Sequence, residues 1–219
     1  MLGTECSVYV DDIVIYSSSA SEHAKGLENV LEGFDRPNLQ LHPGKWVFAQ
    51  PQVQYLGFVL SKDGISPSPE KVKAVKQYPA PTCVKVRAFL GLALFYRRLI
   101  PIFSEIARPM TELTRKEKPF TWESKQQEAF QKMKDRLCTA PVLAYPNFKL
   151  PFILSTDASQ FSLGAILSQV QDGLERPICY ASRQTNMAER VYMTSTGDAG
   201  FGLGDQTLSL LPPWSKIPT

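Results

Sequence analysis

The sequence predicts a mixed α+β fold, and three observations carry that expectation. Short runs of β-branched and aromatic residues flank an aspartate pair near the start, Cys6-Ser7-Val8 on one side and Ile13-Val14-Ile15-Tyr16 on the other. Apolar residues then recur at helical spacing through the middle of the chain. From Phe152 onward the pattern changes to consecutive strand-like runs.

The elements follow in order. Ser21 and Glu22 open an amphipathic stretch to Phe34, with Ala24, Leu27, Val30, Leu31 and Phe34 on one face. Pro37, Pro43 and Gly44 break it. Two strand-like runs come next, Trp46 to Ala49 and Val53 to Leu60, and Lys62-Asp63-Gly64 is a turn signal closing a hairpin onto Ile65. Ser68 is placed to cap a helix with Pro69 at its first position, since proline lacks only an N–H that would be unpaired there. That helix carries Lys71, Lys73 and Lys76 and ends before Pro79. Val84 to Leu99 forms another, with Val86, Phe89, Leu90, Ala93 and Leu94 as its apolar stripe and Arg87, Arg97 and Arg98 at its ends. A helix from Glu123 to Leu137 buries Ala129, Phe130, Met133 and Leu137. After Pro141 to Pro146, strands are expected over Phe152 to Thr156, Leu163 to Val170 and Pro177 to Ser182, with turns at Ala158-Ser159-Gln160 and Gln171-Asp172-Gly173.

Bulk properties narrow the function classes. A chain of 219 residues holds one or two domains and can bury a core. No apolar run approaches the ~20 residues that span a bilayer, so no membrane role is expected, and the N-terminus lacks a basic segment with an apolar core, so secretion is not expected. Cys6, Cys83, Cys138 and Cys179 are scattered without paired spacing, which favours buried thiols over zinc or disulfides. His23 and His42 show no metal-ligand pattern and fit surface or turn roles. The net charge of +3 is too small to establish nucleic-acid binding, but it is concentrated between Lys62 and Lys134.

The chemistry is concentrated in Tyr9-Val10-Asp11-Asp12. Two adjacent carboxylates at a hairpin tip repel unless a cation lies between them, which points to Mg²⁺. Two-metal phosphoryl transfer uses such carboxylates to hold the ions on the attacking and leaving oxygens. A polar β-turn is the alternative reading, because Asp is a common turn residue.

Val8-Tyr9-Val10-Asp11-Asp12-Ile13-Val14-Ile15-Tyr16-Ser17 resembles the catalytic hairpin of reverse transcriptases from gypsy-type LTR retrotransposons. The resemblance continues through Leu39 to Lys45, Tyr55-Leu56-Gly57-Phe58-Val59, Val86 to Leu92, Phe95-Tyr96-Arg97-Arg98 and Phe152 to Ser159, and fades after Tyr192. It implies a reverse transcriptase palm remnant over 1–60, a thumb-like helical region over 61–118, a connecting helix and linker over 119–150, and a truncated RNase H-like β-meander over 151–195. It also implies roles: Asp11 and Asp12 as catalytic Mg²⁺ ligands, Tyr55, Leu56 and Gly57 as a primer grip, and Arg97 and Arg98 as phosphate contacts. Asp157 would be the first metal-binding carboxylate of the RNase H-like part, expected to be buried on a central strand facing Gly164 and Ala165. The implied partners are an RNA/DNA primer-template or an RNA–DNA hybrid.

Two departures matter. The family's polymerase site takes a further Asp from an earlier strand, and Met1 lies too close to the hairpin to include it. After Ser195 the family continues into an apolar helix carrying a second ribonuclease carboxylate. Here Gly197 to Gly204 holds four glycines, each costing a helix about 1 kcal/mol. Codons for Gly197 to Thr219 can be chosen that, read one base later, spell a segment with apolar residues at helical spacing. The 196–219 tail therefore reads as frameshifted. Neither activity is expected of the chain alone, and the missing helix is expected to leave one sheet face bare. A non-catalytic nucleic-acid-binding module is the alternative.

Overall fold

The computed structural model describes residues 6–35, 42–116 and 119–190. The chain divides into two compact units, Met1–Lys62 and Asp63–Thr219.

In the first unit, β1 (Cys6–Tyr9) and β2 (Asp12–Ile15) pair antiparallel, from Cys6 opposite Ile15 to Tyr9 opposite Asp12. That register leaves Val10 and Asp11 as a two-residue turn. Val10 sits at φ 53°, which is costly for a β-branched residue. Helix α1 (Ala20–Asp35) starts where Ser19 accepts the Glu22 N–H at 3.3 Å, while the Glu22 carboxylate accepts from the Ser18 hydroxyl at 2.5 Å. The first of these bonds occupies a backbone donor that a helix start leaves unpaired. Val30 is buried, and Leu27, Leu31 and Phe34 are half-buried. Ala24 is exposed, against expectation, whereas Gly26 is buried, so the stripe is rotated towards Gly26.

Two strand assignments in this unit are corrected. Trp46–Ala49 is not a strand: a 3-10 turn, Pro43–Lys45, precedes it, and Ala49 adopts φ 48°. Proline's fixed φ and absent N–H suit the turn and interrupt pairing there. Val53–Leu60 is not one run but a tight hairpin of β3 (Gln52–Tyr55) and β4 (Phe58–Ser61), with Tyr55 opposite Phe58. Leu56 and Gly57 form the turn at φ 50° and 80°, the doubly positive geometry that follows the twist of paired strands.

The second unit begins with β5 (Gly64–Pro67), in which Ile65 exchanges backbone hydrogen bonds with Leu143 at 2.8 and 2.9 Å. Helix α2 (Pro69–Lys76) has Ser68 at its N-cap and Pro69 first, as the sequence indicates. Helix α3 (Cys83–Phe95) buries Val86, Phe89 and Ala93. It stops short of Leu99: Tyr96 ends it, and Arg97–Leu99 forms a 3-10 turn. Leu94, assigned to the stripe from sequence, is 50% exposed.

Helix α4 (Phe103–Glu112) was not anticipated, because Pro109 lies inside it and Pro101 just before it. Its buried residues Phe103, Ile106, Ala107 and Met110 nevertheless follow helical spacing. Helix α5 (Ser124–Cys138) starts at a capping box between Glu123 and Gln126 and buries Ala129, Phe130, Met133 and Leu137. Phe89 and Phe130 meet with ring centroids 4.6 Å apart, and Tyr78 packs on Phe89 at 5.2 Å. Burying each such large apolar side chain contributes about 1.5–3 kcal/mol.

The remaining strands, β6 (Ile153–Ala158), β7 (Ser162–Gln171) and β8 (Leu174–Gln184), form an antiparallel meander in that order. Asp172 (φ 53°) and Gly173 (φ 78°) make the β7–β8 turn. Ala165, Leu167, Ile178, Cys179 and Ala181 are buried in one cluster, whereas Ile166, Val170 and Leu174 of the same sheet are exposed. Both α4 and the Arg97–Leu99 turn pack against β8, and the Ser104 N–H donates to Ser182 Oγ at 2.9 Å. No helix among the described residues is long and apolar enough to cross a membrane.

Candidate nucleic-acid and metal site

The first unit holds two of the groups singled out from sequence. Asp11 stands in the β1–β2 turn and Asp12 opens β2, both exposed. The tight turn makes them neighbours at the tip of a hairpin. Their oxygen donors suit a hard cation such as Mg²⁺. Among the described residues no group of three His, Cys, Asp or Glu side chains comes together to hold a metal. Two carboxylates alone are a partial coordination set. Tyr55 ends β3, and Leu56 and Gly57 are the turn that follows, so the three residues lie in one strained bend. The Tyr55 hydroxyl is buried and has no hydrogen-bond partner among the described residues, an arrangement native proteins seldom leave unanswered.

The second unit carries the rest. Arg97 and Arg98 are exposed on the 3-10 turn after α3. The Arg98 charge acts on Cys179 of β8 and opposes, as the smaller effect, the burial that pushes that thiol up to about 11. Other basic side chains are already engaged. Arg87 Nη2 donates to the Thr114 carbonyl at 3.1 Å, and Lys134 Nζ donates to the Tyr78 carbonyl at 3.0 Å. The basic segment is thus partly a set of struts, with Lys71, Lys73, Lys76, Arg97 and Arg98 left on the surface.

Asp157 pairs with Gly164 across β6 and β7, as expected. It is exposed rather than buried, and β6 is an edge of the described sheet rather than its centre. An edge strand with solvent on one side does not bury a carboxylate near its end.

One further cluster surrounds Phe161 and Arg183. Phe161, just after β6, lies under the Arg108 guanidinium at 3.9 Å and near that of Arg190 at 5.6 Å. Arg183 forms two hydrogen bonds to Glu189, at 2.8 and 2.6 Å, and Glu189 and Asn186 cap each other's backbone where a helical turn begins at Met187. These contacts anchor the ends of the strands around Asp157. The Arg108–Phe161 contact joins residues too far apart in sequence for spacing to reveal it, whereas Asn186 and Glu189 stand at capping-box spacing.

Two family models match the chain. The model for reverse transcriptase (RNA-dependent DNA polymerase) matches residues 2–60, and that for the RNase H-like domain found in reverse transcriptase matches 122–197. The Drosophila melanogaster Pol polyprotein from transposon gypsy is 42% identical over 207 residues, 89% of this chain and 20% of that protein. The polyprotein from transposon opus, also from Drosophila melanogaster, is 38% identical over 88% of this chain and 20% of that protein. The chain belongs to the retrotransposon Pol family. It spans about a fifth of the length of these relatives. Among solved structures, a foamy viral protease-reverse transcriptase in complex with RNA/DNA hybrid aligns with a TM-score of 0.72 and 26% identity. The alignment covers 88% of this chain and 27% of that one. A second foamy viral structure, titled as a complex with double-stranded DNA, gives 0.75 and 27%, covering 84% of this chain and 33% of that one. The mixed α+β architecture agrees with these neighbours.

Proposed function

We propose that this chain supplies the primer-gripping and duplex-tracking part of a Pol polyprotein that carries out RNA-directed DNA synthesis and RNA–DNA hybrid cleavage, and that alone it binds nucleic acid without catalysing either reaction. The observation that carries this reading is the Asp11–Asp12 pair at the tip of a two-residue hairpin, with no third ligand joining it among the described residues. Asp11 and Asp12 would hold Mg²⁺ on the polymerase side, and Asp157 on the hybrid-cleaving side. Bound there, the ion supplies charge stabilisation for phosphoryl transfer. Tyr55, Leu56 and Gly57 would offer the bend of the β3–β4 hairpin to a primer end. Arg97 and Arg98, exposed on a short turn, supply phosphate contacts that set register without reading sequence. The foamy viral relatives bound to RNA/DNA hybrid and double-stranded DNA support these partners.

The test is primer extension by the chain with Mg²⁺ and nucleotides, beside salt-dependent binding of a primer-template. Binding should weaken with salt and weaken further in Arg97→Gln plus Arg98→Gln, because fewer counterions are released. Extension that disappears in Asp11→Asn plus Asp12→Asn would overturn the claim that the chain is inactive alone.

A further inference from the structure

The segment joining α5 to the meander is held too firmly to be a plain linker. Gln169 of β7 is fully buried, and its side-chain amide donates to the Asn147 carbonyl at 2.8 Å and the Leu150 carbonyl at 3.0 Å. Its oxygen accepts the Asn147 N–H at 2.9 Å. Gln171 donates to the Tyr145 carbonyl at 2.9 Å, and Asn147 Oδ1 accepts the Lys149 N–H at 3.0 Å. The loop's backbone polar groups are thus largely spent internally, and its shape is set before any ligand arrives.

That fixed loop presents aromatic rings to solvent. Phe148 is 63% exposed with its ring braced by Phe152 at 6.1 Å, and Tyr145 is 41% exposed with its hydroxyl tied to the Gly64 carbonyl at 3.4 Å. Both rings line an open groove of about 510 Å³, which Lys149 and Gln171 also border. What remains for a ligand is ring faces, the Lys149 ammonium and, at the groove's other border, the Asp172 carboxylate. An added β-strand would need a continuous run of free backbone donors and acceptors, and the Asn147, Lys149 and Leu150 N–H groups and the Tyr145, Asn147 and Leu150 carbonyls are already taken. A duplex hides the faces of its bases. Unpaired bases stack on exposed rings and carry a phosphate for a nearby lysine.

We infer that the Tyr145–Leu150 loop is a stacking platform for unpaired bases of single-stranded nucleic acid, with Lys149 meeting the adjoining phosphate. This rests on the nucleic-acid role proposed above but concerns residues other than Asp11, Tyr55, Arg97 and Asp157. The experiment is fluorescence anisotropy of the full chain with a labelled oligo-deoxythymidine and, separately, a blunt DNA duplex. Phe148→Ala should weaken oligo-deoxythymidine binding roughly tenfold and leave duplex binding unchanged, while Phe148→Tyr, which keeps a ring, should bind as the unaltered chain does. Equal affinity in Phe148→Ala, or equal losses on both ligands, would overturn the inference. Duplex binding without any oligo-deoxythymidine binding would overturn it too and leave the proposed function standing. The reverse pattern would sustain the platform and sink the duplex-tracking role. Photocrosslinking of the unaltered chain to a 5-iodouracil oligonucleotide gives a readout independent of any variant's folding. Crosslinks at Tyr145 or Phe148 support the platform, and crosslinks confined to other positions refute it.

Discussion

Gly64 shows how one residue can fix a junction. It adopts φ +135°, and a Cβ there would lie 2.1 Å from the Leu143 carbonyl oxygen. Gly64→Ala should therefore cost roughly 2–4 kcal/mol, read as a fall in the denaturant midpoint, because neither the dihedral nor the backbone neighbour can adjust cheaply. Cysteines offer a second residue-level test. Burial raises the Cys179 thiol to about 11, whereas Cys138 is exposed. Iodoacetamide at neutral pH should modify Cys138 quickly and Cys179 only after denaturation. Equal rates would show that the meander core opens readily. Glu189 gives the pH dependence. Hydrogen bonds from Arg183 hold its carboxyl below the usual carboxylate value. A lowered pKa adds stability that is present above the ordinary value and is lost as pH falls through the folded one. Melting temperature should thus drop less on acidification from pH 6 to 3 in Glu189→Gln than in the unaltered chain.

At the level of elements, α5 was readable because local signals and packing agree. Glu123 and Gln126 form the capping box, and the four apolar positions chosen by spacing are the four that are buried. Met133 is fully buried there, so Met133→Ala should cost roughly 2–5 kcal/mol, measured by urea denaturation, whereas Gln131→Ala on the exposed face should cost far less. Helix α4 was missed for the opposite reason. Pro109 is a strong local breaker, yet its ring is accommodated while Phe103, Ile106, Ala107 and Met110 dock into the core. Tertiary burial overrode the propensity that reading a sequence must rely on. The β3–β4 hairpin was legible only in part, since Tyr55-Leu56-Gly57 marks a bend whose first turn residue, Leu56, carries no turn signal of its own. As for the candidate site, the Asp11–Asp12 motif was plain in the sequence. The exposure of Asp157 was not, because burial depends on which strands lie beside β6 and local sequence does not specify that.

Across the whole molecule, the burial of apolar side chains is uneven. Among the described residues Cys6 and Val30 are the buried hydrophobics of the first unit, whereas the second buries aromatic and aliphatic side chains from α2 through β8. The first unit meanwhile exposes Val8, Tyr9, Val10, Tyr16, Val47 and Phe48. An isolated two-stranded hairpin is marginal in water, and apolar burial is the main term opposing chain entropy. Asp11 and Asp12 therefore stand on the unit with less apolar burial. Native-state hydrogen exchange should show this as two levels of protection: amides of β1, β2 and α1 exchanging early, and those of α4, α5 and β7 persisting close to the global unfolding limit. Uniform protection across Lys62 would mean that the units unfold together and that the first draws its stability from the second. With the expected split, binding a primer-template should slow exchange in β3 and β4 if that hairpin grips the primer, because a ligand stabilises only the form it binds. Unchanged exchange at Tyr55–Ser61 despite saturating primer-template would remove the grip from that hairpin and leave binding to the second unit.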